Sequence, residues 1–298
     1  MKKPLRSLLK LSPSSILLII AFIVGLSIFL YPIVTQLYSN ITQTRVIDTY
    51  QDSLDRLSED DINTFKEQVT EYNESLNNST VSQTYNDPFE ENPSTQVVAE
   101  EPHSSFNVFT ESLGETLGHI TIPAIDGDFP IYAGTSDAVL QKGIGHMENT
   151  SFPIGGQSTH AVLTGHRGLP TSKLFTDLPD MELGNVFYLN VLGETLAYEV
   201  TEINTVLPYE TERIAIQEGK DLVTLITCTP YMINTHRLLV MGKRIPYTPK
   251  EPTATTATSE PLPEKASYTL PIIACILASA SVIGFIIYKR KNREEDIK

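Results

Sequence analysis

Three residues carry the chemistry this sequence offers. Cys228 ends a β-like run in "TLITCTPYMINTHR", and Arg237 follows nine residues later. The chain has two cysteines in 298 residues, and the other, Cys275, lies inside an apolar run. A lone thiol without a disulfide partner reads either as a small buried apolar side chain or as a nucleophile. A nucleophile needs a group that moves protons and a donor for the oxyanion. Of the six histidines, His166 in "HAVLTGHRGLP" stands just past a β-like run, between Gly165 and Gly168. A strand end followed by a glycine-rich turn holds a side chain rigidly and lets it project into a groove. His160 starts the same run and so belongs at its opposite end. Arg237 keeps its charge at any working pH and presents a fixed fork of donors. If "DLVTLITC" and "THRLLVMGKRI" pair antiparallel, Cys228 and Arg237 lie at one end of the sheet, and of the neighbours His236 and Arg237 only one can face Cys228. An arginine in a β-protein also serves as plain surface. Thr227, beside the thiol, fits either substrate positioning or strand-end packing.

These side chains must be positioned by the segment from about Leu117 to Ile245. There, short β-like runs alternate with turn residues: "HITIPAI", "FPIYAG", "HAVLTGH", "VFYLNV", "TLAYEVTEI", "DLVTLITC" and "RLLVMGKRI". The stretch "VFYLNV-LGE-TLAYEV" reads as a hairpin, and a short helix is expected around Lys173–Leu178. So many short strands in one segment fit a mainly β barrel or sandwich. Upstream, Val46, Tyr50, Leu54, Leu57, Ile62, Phe65, Val69, Tyr72 and Leu76 recur at mostly three- to five-residue spacings. That pattern predicts amphipathic helix, broken near "SEDDIN". From Asn77 to Ser105 the chain turns polar, as a loop or linker.

Two apolar runs frame everything else, Ile16–Val34 and Leu270–Tyr288, each close to the ~20 residues that cross a bilayer. Basic residues precede the first (Lys2, Lys3, Arg6, Lys10) and follow the second (Lys289, Arg290, Lys291, Arg293). Positive flanks stay in the cytoplasm, so both termini are expected there and the middle of the chain outside. A cleaved signal peptide is the rival for the first run, but no A-x-A-like site follows it. Removing the nine basic and three acidic residues at the two ends leaves 13 Lys/Arg against 33 Asp/Glu, a net charge of −20. That argues against nucleic acid as a partner and against electrostatic attraction to anionic lipid. A metal centre is not indicated, because the histidines lack ligand spacing and one outer cysteine is too few. No cofactor is expected.

"TLITC" followed by Arg237 resembles the TLxTC…R motif of sortases, the cysteine transpeptidases of Gram-positive surfaces, and "LTGHRGLP" resembles their histidine motif. The likeness covers about Gly118 to Pro246. It implies an eight-stranded β-barrel, with Cys228 as nucleophile, His166 as general acid/base and Arg237 as oxyanion or substrate stabiliser. "TGHRGLPTSKLFTDL", "CTPYMINTHRLLVMGKRIPY" and "GETLAYEV" are similar to class C, the pilus-assembling sortases. That class carries a C-terminal span and an N-terminal lid with a D-P-aromatic motif, here Asp87, Pro88 and Phe89. The resemblance implies that Asp87 pairs with Arg237 while Phe89 covers Cys228. Met232 departs from the pattern, standing where glycine is common.

The expected order is then a cytoplasmic terminus (1–15), a span (16–35), a helical region (36–85), a lid and linker (86–105), the catalytic barrel (106–247), a Pro/Thr-rich tether (248–268), a second span (269–288) and a basic tail (289–298). By resemblance the partners are pilin subunits bearing LPxTG-like sorting signals, with the membrane holding the enzyme. The alternatives are a sortase that anchors proteins to cell-wall precursor, and a non-catalytic pilin-binding scaffold. A papain-like hydrolase fits poorly, because its cysteine begins a helix.

Overall fold

The computed structural model describes residues 13–78, 87–89, 113–210 and 212–247. The second apolar run, the tether and the basic tail lie outside the described residues, as does most of the 86–105 lid and linker.

The first element, α1, runs from Pro13 to Leu54. Up to Val34 it is apolar around most of its circumference, and its most apolar stretch is exposed. Beyond that point one stripe faces the barrel: Gln43, Tyr50 and Leu54 are buried and Thr35 and Ser39 partly so, the three-to-four-residue spacing of a helix face. The chain breaks at Asp55–Ser58, and α2 runs from Glu59 to Asn78. Ser58 supplies the restart. Its Oγ accepts from the Asp61 N–H (3.1 Å), while the Asp61 carboxylate accepts from the Ser58 N–H (3.2 Å). This reciprocal cap satisfies donors that a helix start leaves open, and the Ser58 bonds hold the Asp61 carboxyl below its ordinary value. Phe65, Val69 and Asn73 form the buried face of α2, and the Asn73 amide bonds both the N–H and the C=O of Phe152.

Eight strands close the barrel: β1 Thr116–Ile122, β2 Gly127–Ala133, β3 Ile144–His146, β4 Thr159–Thr164, β5 Val186–Val191, β6 Glu194–Val206, β7 Asp221–Thr229 and β8 His236–Ile245. Their order around the barrel is β1-β2-β3-β4-β7-β8-β6-β5. The pairs β2/β3 and β4/β7 are parallel and the others antiparallel. A four-residue helix, α3 (Asp137–Leu140), lies between β2 and β3. The expected hairpin is β5/β6, and its turn is tighter than the sequence suggested because Glu194 already pairs with Val191. The expected helix near Lys173 is a 3-10 segment, Leu174–Asp180.

Leu117, Ile120, Phe152, Phe175, Phe187, Tyr198, Leu225 and Val240 fill the interior. Tyr50 ties α1 to this core. Its buried hydroxyl donates to the Leu117 carbonyl (3.0 Å) and accepts from the Leu192 N–H (2.9 Å). His160, completely buried at the start of β4, bonds the Thr224 hydroxyl (2.7 Å) and the Ala215 carbonyl (2.9 Å). It is a core crosslink, at the far end of β4 from His166.

Candidate active site

Three adjacent strands bring the sequence-predicted residues into one row. In the β7/β8 ladder Cys228 is the direct partner of Arg237, so their side chains leave the same face of the sheet. The loop between these strands is six residues long, because Thr229 and His236 are already paired. On the other side, β4 runs parallel to β7 with Thr164 level with Ile226. Two further bonds carry that register onward, from the Gly165 N–H to Ile226 O (3.1 Å) and from Thr227 Oγ1 to Gly165 O (2.7 Å). His166 is therefore level with Cys228 on the neighbouring strand, and the row reads His166, Cys228, Arg237.

The turn carrying His166 is fixed from several sides. A Cβ on Gly165 would stand 2.7 Å from Ile144 Cδ1 and 2.8 Å from the Phe175 ring, so only glycine lets the strand end pass so close to the core. The Phe175 N–H closes the loop onto the His166 carbonyl (3.1 Å). Gly168 has φ +81°, and the Tyr231 ring occupies the space a Cβ would need. Arg167 joins the same brace, donating to Thr229 Oγ1 (3.1 Å) with its guanidinium 5.7 Å from the Tyr231 ring centre. Of the two roles weighed for Thr227, the structure displays strand-end packing. The residue is fully buried and its hydroxyl donates to the Gly165 carbonyl, which leaves only its acceptor lone pairs for a substrate.

The D-P-aromatic motif lies on this row. Asp87 takes both ends of the Arg237 fork, Nε to Oδ1 at 2.8 Å and Nη2 to Oδ2, and both side chains are nearly buried. The remaining Arg237 nitrogen donates to the carbonyls of Asn234 and His236. The Phe89 ring lies 5.6 Å from the His166 ring and 5.1 Å from the Arg237 guanidinium carbon. Phe89 also packs on an apolar cluster containing Met147, Val206, Ile226 and Leu239. The contacts of Phe89 are thus with the two residues that flank Cys228 in the row. Asp87 and Pro88 help line a cleft with Val206, Leu207, Ile214 and Leu239.

Burial sets the electrostatics of the row. Burial raises the Cys228 thiol to about 11; Arg237 opposes the shift and the Asp87 carboxylate adds to it. Burial lowers the His166 imidazole below its ordinary value, partly offset by the charge of Asp137. Thiol and imidazole are therefore both neutral near pH 7. Among the described residues His166 Nε2 is buried and finds no hydrogen-bond partner. Asp137 has no chemical signal in the sequence, since it belongs to a four-residue helix capped by Ser136. Met232 explains its own departure from the pattern. Its φ is +61°, a left-handed conformation that glycine adopts freely and other residues at a cost. Among the described residues no His/Cys/Asp/Glu group could hold a metal ion.

Comparison with known proteins places this arrangement. The family model described as "Sortase domain" matches residues 120–245. Sortase D of Bacillus subtilis (strain 168) is 30% identical over 140 residues, covering 46% of this chain and 68% of that protein. Among solved structures, the sortase C1 of GBS Pilus Island 1 aligns with a TM-score of 0.62 and 41% identity, over 70% of this chain and 95% of that one. Sortase C-1 from Streptococcus pneumoniae aligns with a TM-score of 0.60 and 44% identity, over 68% and 98%. These matches embrace the barrel and reach beyond it, so the chain belongs to the sortase family of cysteine transpeptidases, in its class C.

Proposed function

We propose that this sortase cleaves an LPxTG-like sorting signal between Thr and Gly and joins the threonine to a lysine amine of a pilin subunit, so that repetition builds a covalent fibre. Cys228 attacks the threonine carbonyl, and its proton passes to Nε2 of His166. The imidazolium then returns that proton to the departing glycine amine, leaving a thioester. A lysine amine attacks the thioester, His166 takes the extra proton, and collapse restores the thiol and forms an isopeptide bond. Arg237 stabilises the oxyanion or holds the substrate backbone. Neutral thiol and neutral imidazole are suitable starting states for this proton cycle.

The observation that carries the reading is the occupied row. Asp87, Pro88 and Phe89 hold the arginine, line the apolar cleft and lie against the histidine. A sorting signal needs the same surface, so the segment acts as a lid that an incoming pilin displaces. Displacement requires a partner with higher affinity for the open form. The description of one relative as the sortase C1 of a GBS pilus island is the further support for pilin as substrate. We also read α1 as a membrane anchor, because its apolar stretch is long enough to cross a bilayer and is unburied by protein. With the basic tail behind the second apolar run, this puts both termini in the cytoplasm and the barrel outside.

The test is polymerisation by the full chain in detergent, mixed with pilin subunits bearing an LPxTG-like tail. SDS-resistant ladders with Thr–Lys isopeptides by mass spectrometry are expected, lost in Cys228→Ala and stronger in Asp87→Ala with Phe89→Ala. An acyl adduct on Cys228 without ladders moves the acceptor to another amine, such as cell-wall precursor. No adduct from any variant, across several sorting signals, overturns the assignment of these residues.

A further inference from the structure

The His166 turn and the membrane helix are in direct contact. Thr35, the first residue past the apolar run, has its hydroxyl 3.3 Å from the Pro170 carbonyl. One turn on, Ser39 donates to Ser172 Oγ (3.0 Å), and another turn on the buried Gln43 amide donates to the same hydroxyl (3.1 Å). Pro170 and Ser172 belong to the loop that starts at His166 and closes at Phe175. No slack chain separates the bilayer-length helix from the catalytic loop.

The outer face of α1 shows how far the bilayer reaches. Exposed apolar side chains do not stop at Val34 but continue through Leu37, Tyr38 (72% exposed) and Ile41. Seven residues of helix rise ~10 Å, and the headgroup layer is about 5–8 Å deep on each side of a bilayer. Tyrosines are favoured at this depth, and Tyr31 and Tyr38 are both exposed. The segment of α1 facing the headgroup layer is thus the segment on which Pro170 and Ser172 dock.

A second apolar feature adjoins this contact. Tyr231, Met232 (78% exposed) and Ile233 (66% exposed) project from the β7/β8 loop, and the Tyr231 ring packs on Gly168. Gly168 is two residues from Pro170, at most ~7 Å of chain. The tip is therefore roughly 15 Å from Thr35, through contacts that hold it in place. Three consecutive large apolar side chains exposed beside a site mark an interaction surface.

We infer that the active-site edge of the barrel rests on the lipid surface, with Tyr231, Met232 and Ile233 entering the headgroup layer beside α1. This rests on the reading of α1 as a membrane anchor. The contact is apolar and does not depend on anionic lipid, which a net −20 outer region would repel. It holds the thioester-forming site at the height of the headgroup layer.

The chain contains no tryptophan, so one introduced indole reports its own surroundings. The full chain is reconstituted in phosphatidylcholine vesicles, with and without phosphatidylglycerol, carrying brominated acyl chains. Tyr31→Trp tests the anchor and Met232→Trp tests the tip; circular dichroism checks that each variant is folded. Bromine quenching of both, in both lipids and of the same order, is expected. Tyr31→Trp unquenched removes the anchor and the inference with it. Tyr31→Trp quenched with Met232→Trp unquenched overturns the inference alone. If Met232→Trp is unquenched in vesicles but shifts to the blue when pilin is added, the tip is a protein-docking surface and the lipid contact is likewise overturned.

Discussion

Removal of the lid should reset the thiol, and the size of the effect follows from the covering of Cys228. Burial and Asp87 hold the thiol at about 11, against an ordinary value of 9.0, with Arg237 opposing. At neutral pH that two-unit gap makes the thiolate ~100-fold rarer. A thiolate of higher pKa is the stronger nucleophile, with a Brønsted coefficient of about 0.4–0.5, so closing the gap sacrifices ~8-fold of intrinsic reactivity. The net gain is on the order of tenfold. Asp87→Ala alone removes the carboxylate and turns the Arg237 charge toward the sulfur. It leaves the burial, which is the largest cause, so its effect is a fraction of the whole. Asp87→Ala with Phe89→Ala uncovers the row as well. The assay is the rate of iodoacetamide alkylation against pH: the midpoint reports the thiol pKa and the alkaline plateau reports access. The double variant should show a midpoint lowered by up to about two units and a raised plateau. A raised plateau with the midpoint still at about 11 would refute the electrostatic reasoning and leave the lid a purely steric cover.

Four further outcomes are expected. Gly165→Ala drives a methyl into Ile144 and Phe175, so it should cost about 1–3 kcal/mol in urea denaturation and lower transfer by displacing His166. Tyr50→Phe leaves the Leu117 carbonyl and Leu192 N–H without their buried partner, a loss of about 1–3 kcal/mol with transfer largely retained. Met232→Gly relieves a left-handed backbone and should raise the urea midpoint by up to about 1 kcal/mol of stability, part of the relief being offset by glycine's extra freedom when unfolded. Acid should destabilise the fold through buried histidine. Burial lowers His146 to about 4, so between its unfolded value near 6.5 and that point the unfolded chain binds a proton the folded chain refuses. Stability therefore falls with pH through this window, by about 2 kcal/mol for His146 alone at pH 5. His160 and His166 shift in the same direction while the burial-raised Asp221 carboxyl opposes them, and denaturation midpoints at pH 7 and 5 measure the net.

What could be foreseen divides along physical lines. The break before α2 was legible because a capping serine and three acidic residues are local chemistry. The antiparallel placement of Cys228 opposite Arg237 was legible because a short loop constrains two strands. The third member of the row was not placed by any such rule. His166 stands beside Cys228 because β4 lies parallel to β7, a pairing between segments far apart in sequence that no local pattern encodes. Strand β3 escaped notice because three residues, Ile144 to His146, are too few to show alternation. The docking stripe of α1 was hidden for the opposite reason. Thr35, Ser39 and Gln43 are polar, and a polar stripe beside a membrane run reads as solvated helix rather than as the face that clamps Ser172. The Asp87 pairing was reachable only through family likeness, since three residues with turn character say nothing of an arginine 150 positions away.

Under the proposed function, the closed state has a consequence for when the thiol becomes reactive. With the lid seated, the thiol stays protonated and Pro88 forms part of the wall of the apolar cleft. The lid is held by a buried fork–fork ion pair, and breaking such a pair by withdrawing one partner costs about 3–5 kcal/mol. Water and small amines cannot supply that energy, because they bind open and closed forms alike. A sorting signal can, since it replaces the apolar contacts of Pro88 and Phe89 and offers Arg237 a new oxygen. The nucleophile is thus raised to working reactivity by the substrate that consumes it, and the thioester forms only in a cleft already filled by peptide.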